Sequence, residues 1–357
     1  MRITFVASEA NPFIKTGGLA DVVYALGEEF ASLKHKVSVI IPLHNAGSRL
    51  TTCLESLKKQ SLTDFEVIIV SDCPTDSSDT IAKRFCQQDS RFIFIENEQN
   101  QHIGYSRNKG IAVANGDYIT FSDHDDYHDV DFLLKMLTTA VKSKAEVVIG
   151  RPSTTLQQDE TNIEHFPTEV FENTKDYILK DLLSKGSIHG RNNSLFNLVI
   201  GNFYRKDLIK NNSLQFVDTR QTTPEDQLFQ LDAILSANSI AVVDEALYIH
   251  VNHNDNEGSK PSYINPTKRL SGIEKAREIL EKHKKYDEYA SYFLKGGCLQ
   301  LILLMSNTIF HTPLKTLKTR SIIKSHPLTQ ELLPFAPESS KGVMAKQIRR
   351  LIVKLIK

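Results

Sequence analysis

Four short apolar runs recur between residues 36 and 121, and the helical signals spaced between them constrain the fold more than any other feature of the chain. The first, residues 36–42 (Lys-Val-Ser-Val-Ile-Ile-Pro), is apolar and β-branched at consecutive positions after Ser38, as expected for a central strand of a parallel sheet covered on both faces. Residues 65–70, 92–95 and 118–121 supply three further strands. Helices are expected at about 48–60, from the turn and N-cap cluster at 74–79 to about Gln88, and from Ser106 into Ala114. Such alternation specifies an α/β, doubly wound, mostly parallel sheet. Ligands of open sheets of this kind bind at the carboxyl ends of the strands.

What stands at those ends is polar. Leu43-His44-Asn45 follows the first strand, Asp72 ends the second, and the run 118–121 ends in Asp123-His124-Asp125-Asp126, with Asp129 and Asp131 beyond. Acids this close repel one another unless a cation sits among them. Hard divalent ions such as Mg²⁺ and Mn²⁺ favour oxygen ligands and are often shared between one or two carboxylates and substrate phosphates. Asp123-His124-Asp125 therefore reads as a metal–diphosphate site, with an acidic surface turn as the ordinary alternative. An EF-hand is excluded, because the sixth position from Asp123 is His128 rather than glycine and the twelfth is Leu134 rather than glutamate. Asp72 could accept a hydrogen bond from a base or ribose, and Arg107, expected in the loop before the acids, could face a phosphate. Asn45, Asp72 and Asp123 on three successive strand ends together describe a nucleotide pocket.

A second chemical centre is Glu225-Asp226, behind the helix-start signal Thr222-Thr223-Pro224 and ahead of a helix expected to Leu235. Acids at a helix start also occur without catalysis, because they complement the helix dipole. Late strands are expected at 240–243 and 247–253. His250 and His253, three apart, could ligate a metal or contact a diphosphate, or serve structure alone, and Ser259 is equally open.

Several function classes drop out on composition. At 357 residues the chain can hold one large domain or two. Lys and Arg number 43 against 43 Asp and Glu, so no global charge points to nucleic acid. Cys53, Cys73, Cys86 and Cys298 form no CxxC pair and look like reduced thiols. The apolar start at 3–7 is cut by Glu9, which argues against a signal peptide, and the run 299–305 is too short to span a bilayer. These features point to the cytoplasm.

Residues 38–42 (Ser-Val-Ile-Ile-Pro), 70–76 (Val-Ser-Asp-Cys-Pro-Thr-Asp), 107–110 (Arg-Asn-Lys-Gly) and 121–126 (Phe-Ser-Asp-His-Asp-Asp) resemble, in order, the motifs of family 2 glycosyltransferases of the GT-A fold. The resemblance runs from about Val37 to at least Ser259. It implies that Pro42 and Asn45 line a uridine, that Asp72 contacts uracil, and that Arg107 faces the same nucleotide. It also implies that Asp123 holds ribose or metal, that Asp125 binds Mn²⁺ or Mg²⁺, and that Glu225-Asp226 carries the catalytic base, placed here on Asp226. One departure is plain: where the family usually has Val-Asp-Asp-Gly-Ser, this chain has Ser71 for the first acid and Cys73-Pro74 for Gly-Ser. The stretches 211–216, 225–229 and 237–238 look closest to wall teichoic acid N-acetylglucosaminyltransferases, which would imply UDP-GlcNAc and a poly-ribitol-phosphate acceptor; capsule and other surface-polysaccharide enzymes, with a UDP-sugar donor and a glycan or lipid-linked acceptor, share much of this pattern.

The two ends read differently. Residues 1–35 begin with a strand-like run at 2–7, and Lys15-Thr16-Gly17-Gly18 precedes a helix expected from Leu19 to Leu33. A glycine turn at a helix start is a plausible anion site. The segment resembles the opening of bacterial glycogen and starch synthases, but no second domain of that kind follows, so it reads as a fused or recombined appendage. A glucan synthase using ADP-glucose, or a nucleotide-sugar-binding protein without turnover, are the rival functions. The strand at 36–42 should have both neighbours taken, leaving the strand at Ile3 no place beside it. Domains are expected at 36–260 (catalytic), 261–340 (helical, loosened after 310 by Pro313, Pro327, Pro334 and Pro337) and 341–357. That last stretch is basic and amphipathic, as in helices lying on anionic membrane surfaces, and would make the protein peripheral at the inner face of the cell membrane.

Overall fold

β1 (Val37–Leu43) is buried at all seven positions and pairs in parallel with β2 (Phe65–Ser71) on one side and β4 (Tyr118–Phe121) on the other. Successive side chains of a strand point to opposite faces. Here Val39 and Ile41 enter one apolar cluster and Ile40 the other, so both faces are covered and an uninterrupted apolar run is required. The computed structural model describes residues 35–154, 173–184, 187–188, 191–192, 196, 198–251, 265–335, 353–354 and 356. The expected strand at Ile3, the turn Lys15–Gly18, His253 and Ser259 lie outside them.

Among the described residues, eight strands form one sheet in the order β3-β2-β1-β4-β9-β6-β10-β5. β3 (Phe92–Glu96), β2, β1 and β4 are parallel, as are β6 (Val147–Thr154) and β10 (Ile240–His250). Two additions modify the doubly wound plan. β9 (Phe203–Arg205) runs antiparallel between β4 and β6, and β5 (Tyr127–His128) runs antiparallel at the edge beside β10. A small hairpin, β7 (Ser187–Ile188) with β8 (Arg191–Asn192), stands apart.

On one face lie α1 (Arg49–Lys58), α2 (Ser78–Gln88) and α4 (Phe132–Ser143), burying Leu54, Phe85 and Met136 with Val39 and Ile41. The other face carries α3 (His102–Val113), α5 (Thr174–Ser184), α6 (Lys206–Asn211), α7 (Glu225–Ser236), α8 (Pro266–Lys282) and α9 (Tyr286–His311). α3 lies directly on β1: a Cβ at Gly110 would come within 2.4 Å of Ile40 Cγ2, so the helix needs glycine there to reach the sheet.

α8 begins at Pro266 with Asn265 as its cap, Oδ1 accepting from Thr267 N at 3.0 Å. α9 is long and apolar enough, by length and composition, to cross a membrane. Cys298, Leu301, Leu304 and Met305 are nevertheless fully buried within the first cluster, so it serves as a core helix. Among the described residues, to 335, the segment after 310 is not loosened by its prolines, and Pro337 lies outside them. Pro313 opens a 3₁₀ turn (Pro313–Lys315) that leads into α10 (Thr316–Ser325), and Pro327 opens α11 (Pro327–Leu332). Proline at a first helical turn forfeits no intrahelical bond, so here it starts helices instead of breaking them. Of the tail, Ile356 is fully buried in the first cluster and Val353 packs against it, so those two apolar side chains are spent on the protein itself.

Candidate active site

The ends of β2, β1 and β4 lie side by side, which brings Asp72, Asn45 and Asp123 to one edge as the strand order requires. The β1–β4 ladder closes at Ile40–Phe121, with Ser122 N donating to Ile40 O at 3.0 Å. Pro42, two residues on, has no N–H to offer β4, so the acid turn departs from the sheet there. His124 Nδ1 donates to Pro42 O at 3.1 Å and fixes the departure. Asn45 adopts left-handed backbone (φ 49°), and its Oδ1 accepts from Thr75 N at 2.7 Å, tying the first strand end to the second. Asp72 is buried, and Oδ1 accepts from Asn97 Nδ2 at 2.8 Å and Gln101 N at 2.7 Å.

Cys73 also sits in left-handed backbone, at φ 54°. The family resemblance implies glycine at this position, and the left-handed backbone is the conformation glycine adopts most readily. A non-glycine residue pays roughly 1–2 kcal/mol in that region. Cys73→Gly is therefore expected to stabilise the fold by about 1 kcal/mol, less any entropic cost of glycine in the unfolded chain. A urea midpoint unchanged or lowered by the substitution would show that the Sγ contact to Asn97 O, at 3.4 Å, outweighs the relief. Two residues earlier, Ser71 Oγ donates to Asp79 Oδ1 at 2.6 Å, tying the end of β2 to the first turn of α2.

Arg107 is not in a loop. α3 begins at His102, earlier than expected, and carries Arg107 inward until its side chain is 1 % exposed. There the guanidinium meets three carboxylates: Nη1 contacts Asp226 Oδ1 closely and Glu225 Oε1 at 3.4 Å, and Nη2 reaches Asp123 Oδ1 at 3.3 Å. One face stacks over Phe216, 5.1 Å from the ring centroid. Asn108 locks the same segment, donating to Phe216 O at 2.8 Å and accepting from Phe216 N at 2.9 Å. Gly104 permits the contact, since a Cβ there would lie 2.3 Å from Val217 O. Arg107 thus binds the acid turn to the start of α7, and in this structure it faces carboxylates instead of an open phosphate position.

Glu225 and Asp226 occupy the first turn of α7, behind Pro224. Their side chains keep 17 % and 20 % exposure, so both remain within reach of a ligand. Desolvation raises the Asp226 carboxyl well above the ordinary aspartate value, and Glu225 and Asp123 push the same way, while Arg107 pulls it down. Such a carboxylate is a stronger proton acceptor than a solvated one.

Asp126 was not singled out by sequence, and it is the most completely buried of the four-residue acid turn. Its Oδ2 accepts from Tyr248 Oη at 2.6 Å, and its Oδ1 accepts from Val251 N at 2.8 Å and His250 Nδ1 at 3.1 Å. Tyr248 Oη in turn accepts from Asp123 N at 3.0 Å. The last acid of the turn therefore holds the end of β10 against the first. His250, one of the two candidate histidines, has Nδ1 committed to Asp126, whose carboxylate raises its pKa, and Nε2 is the nitrogen left for a ligand.

Asp123 and Asp125 are half-buried, and no group of three or more His, Cys, Asp or Glu side chains among the described residues forms a complete metal cage. Two oxygen-only carboxylates fit a Mg²⁺ or Mn²⁺ ion that completes its octahedron with substrate phosphates and water, and fit poorly a closed structural site.

Residues 38–209 match the model of Glycosyl transferase family 2. The chain is 30 % identical over 258 residues to the putative glycosyltransferase EpsH of Bacillus subtilis, covering 71 % of each chain. It is 27 % identical over 266 residues to the poly(ribitol-phosphate) beta-N-acetylglucosaminyltransferase TarS of Staphylococcus aureus, covering 72 % of this chain but only 44 % of that protein. The crystal structure of S. aureus TarS 1–349 in complex with UDP-GlcNAc superposes with a TM-score of 0.54 at 20 % identity, covering 89 % of this chain and 90 % of the other, a likeness of fold.

Proposed function

The chain is a glycosyltransferase and belongs to glycosyl transferase family 2, and from that premise we propose that it moves a sugar, with inversion, from a UDP-sugar to a hydroxyl of a cell-surface glycan precursor. The observation that carries this reading is the single arginine, Arg107, that gathers Asp226, Glu225 and Asp123 at one edge of the sheet. It brings a basic carboxylate and a donor-side carboxylate together although they come from distant parts of the chain.

In the proposed reaction Asp72 offers its carboxylate to a uracil N–H, and Pro42 and Asn45 wall the nucleotide. Asp123 and Asp125 would hold Mn²⁺ or Mg²⁺, which when bound neutralises charge developing on the departing diphosphate. Asp226 takes the proton of the acceptor hydroxyl as its oxygen bonds to the anomeric carbon. The bond from that carbon to the β-phosphate oxygen breaks, and UDP leaves with its electron pair. Glu225 stands beside the base and raises its basicity by like charge. His250, its Nδ1 held by Asp126, keeps Nε2 for the diphosphate. The similarity to a poly(ribitol-phosphate) transferase supports a teichoic-acid-type or comparable surface polysaccharide as acceptor.

The test is release of UDP from a panel of UDP- and ADP-sugars, with Mn²⁺ or with chelator. Metal-dependent turnover of one UDP-sugar is expected. Turnover of ADP-glucose alone would overturn the proposal and return the function to the first 35 residues.

A further inference from the structure

The corner between α9 and α10 exposes apolar surface that nothing in the catalytic reading uses. Leu314, in the 3₁₀ turn, is 100 % exposed, Leu317 in the first turn of α10 is 79 % exposed, and Phe310 in the last turn of α9 is 62 % exposed. Isolated exposed leucines are common, but three large apolar side chains within eight residues form a patch. α10 is amphipathic in an unusual sense. Thr319 and Ile323 are buried against the core, whereas the outward stripe Leu317, Lys318, Ser321, Lys324 and Ser325 begins with leucine and continues with cations. Residues 312–330 hold Lys315, Lys318, Arg320 and Lys324 and no acid at all.

We infer that this corner is a docking surface for an anionic lipid bilayer, with Phe310, Leu314 and Leu317 entering the headgroup–acyl boundary and the α10 lysines lying over acidic headgroups. Apolar side chains beside a cluster of cations give the two additive contributions that hold peripheral proteins on such surfaces. Charge decides against the nearer occupants. A second copy docking through the same corner would set these cations against themselves. The chain's own tail, residues 341–357, carries Lys341, Lys346, Arg349, Arg350, Lys354 and Lys357 without an acid, so it brings the same sign. Ile356, moreover, is already buried in the core. The surface is fixed to a packed helix pair, so docking would set the orientation of the whole molecule.

Flotation of the full chain with vesicles tests this. Wild type is expected to co-float with vesicles containing phosphatidylglycerol, in a salt-dependent way, and not with pure phosphatidylcholine. The double variant Leu314→Ser/Leu317→Ser removes two exposed side chains without touching the core, and should weaken partitioning at least roughly tenfold while UDP release with a soluble acceptor is unchanged. Lys318→Glu/Lys324→Glu should abolish the preference for acidic lipid. Wild type indifferent to acidic lipid, or leucine variants that float as wild type does, would overturn the assignment. So would a dimer lost in the leucine variant while vesicle binding persists.

Discussion

Asp226→Asn is expected to lower kcat by about 10³-fold, within the 10²–10⁴ range that a positioned general base contributes, while affinity for the UDP-sugar stays close to wild type. The asparagine keeps the shape and one oxygen toward Arg107 but has no lone pair basic enough to take the acceptor proton. In the proposed reaction the nucleotide is held by Asp72, Asn45 and the acid turn, which the substitution leaves in place. Single-turnover sugar transfer beside calorimetric UDP affinity separates the two effects. A variant retaining more than a tenth of wild-type turnover would place the base elsewhere, with Glu225 the next carboxylate to test.

The same residue sets an expected pH dependence. Burial raises the Asp226 carboxyl well above its ordinary 3.8, and Arg107 offsets only part of that rise. A general base acts only when deprotonated, so kcat should climb with pH through the raised value and level off above it, with its acid midpoint above the usual carboxylate range. The residual activity of Asp226→Asn should lack that acid limb.

How much of this was legible in the sequence depended on distance along the chain. β1, β2 and β4 announce themselves because central parallel strands need consecutive apolar, β-branched residues, and their polar ends follow from strand direction. The start of α7 was visible in Thr-Thr-Pro ahead of Glu225. The start of α3 at His102 lies ahead of the expected Ser106 because Gly104 resembles a loop residue, whereas it serves a close approach to Val217 O. β9 escaped notice because three residues between loops carry almost no periodicity, and its place between β4 and β6 is a tertiary choice. Asp126 was hidden among acids that all look alike in sequence, and only burial separates the one that anchors Tyr248 and His250 from its half-buried neighbours Asp123 and Asp125. Arg107 shows the limit most clearly. Its carboxylate partners on α7 lie 118 and 119 residues away, and no local pattern encodes that meeting.

That meeting yields the largest expected stability change. Arg107→Met keeps much of the side chain's volume against Phe216 but leaves Asp226, Glu225 and Asp123 facing one another without a cation. Removing one partner of a buried ion pair typically costs 3–5 kcal/mol; the partial exposure of these carboxylates argues for about 3 kcal/mol at neutral pH. The loss should shrink in acid. Without Arg107 the Asp226 pKa rises further above its unfolded value, so the folded state binds the proton more tightly than the unfolded chain. Stability from that proton is fully present below the unfolded pKa and is lost as pH rises through the folded one. Urea denaturation of the variant at pH 5 and pH 8 reads the trend directly. The double variant Arg107→Met/Asp226→Asn should recover part of the loss at pH 8, because the neutral amide removes one of the stranded charges. If the double variant were no more stable than Arg107→Met, the arginine would be holding α3 to Phe216 by packing, and the carboxylates would be bystanders to its burial.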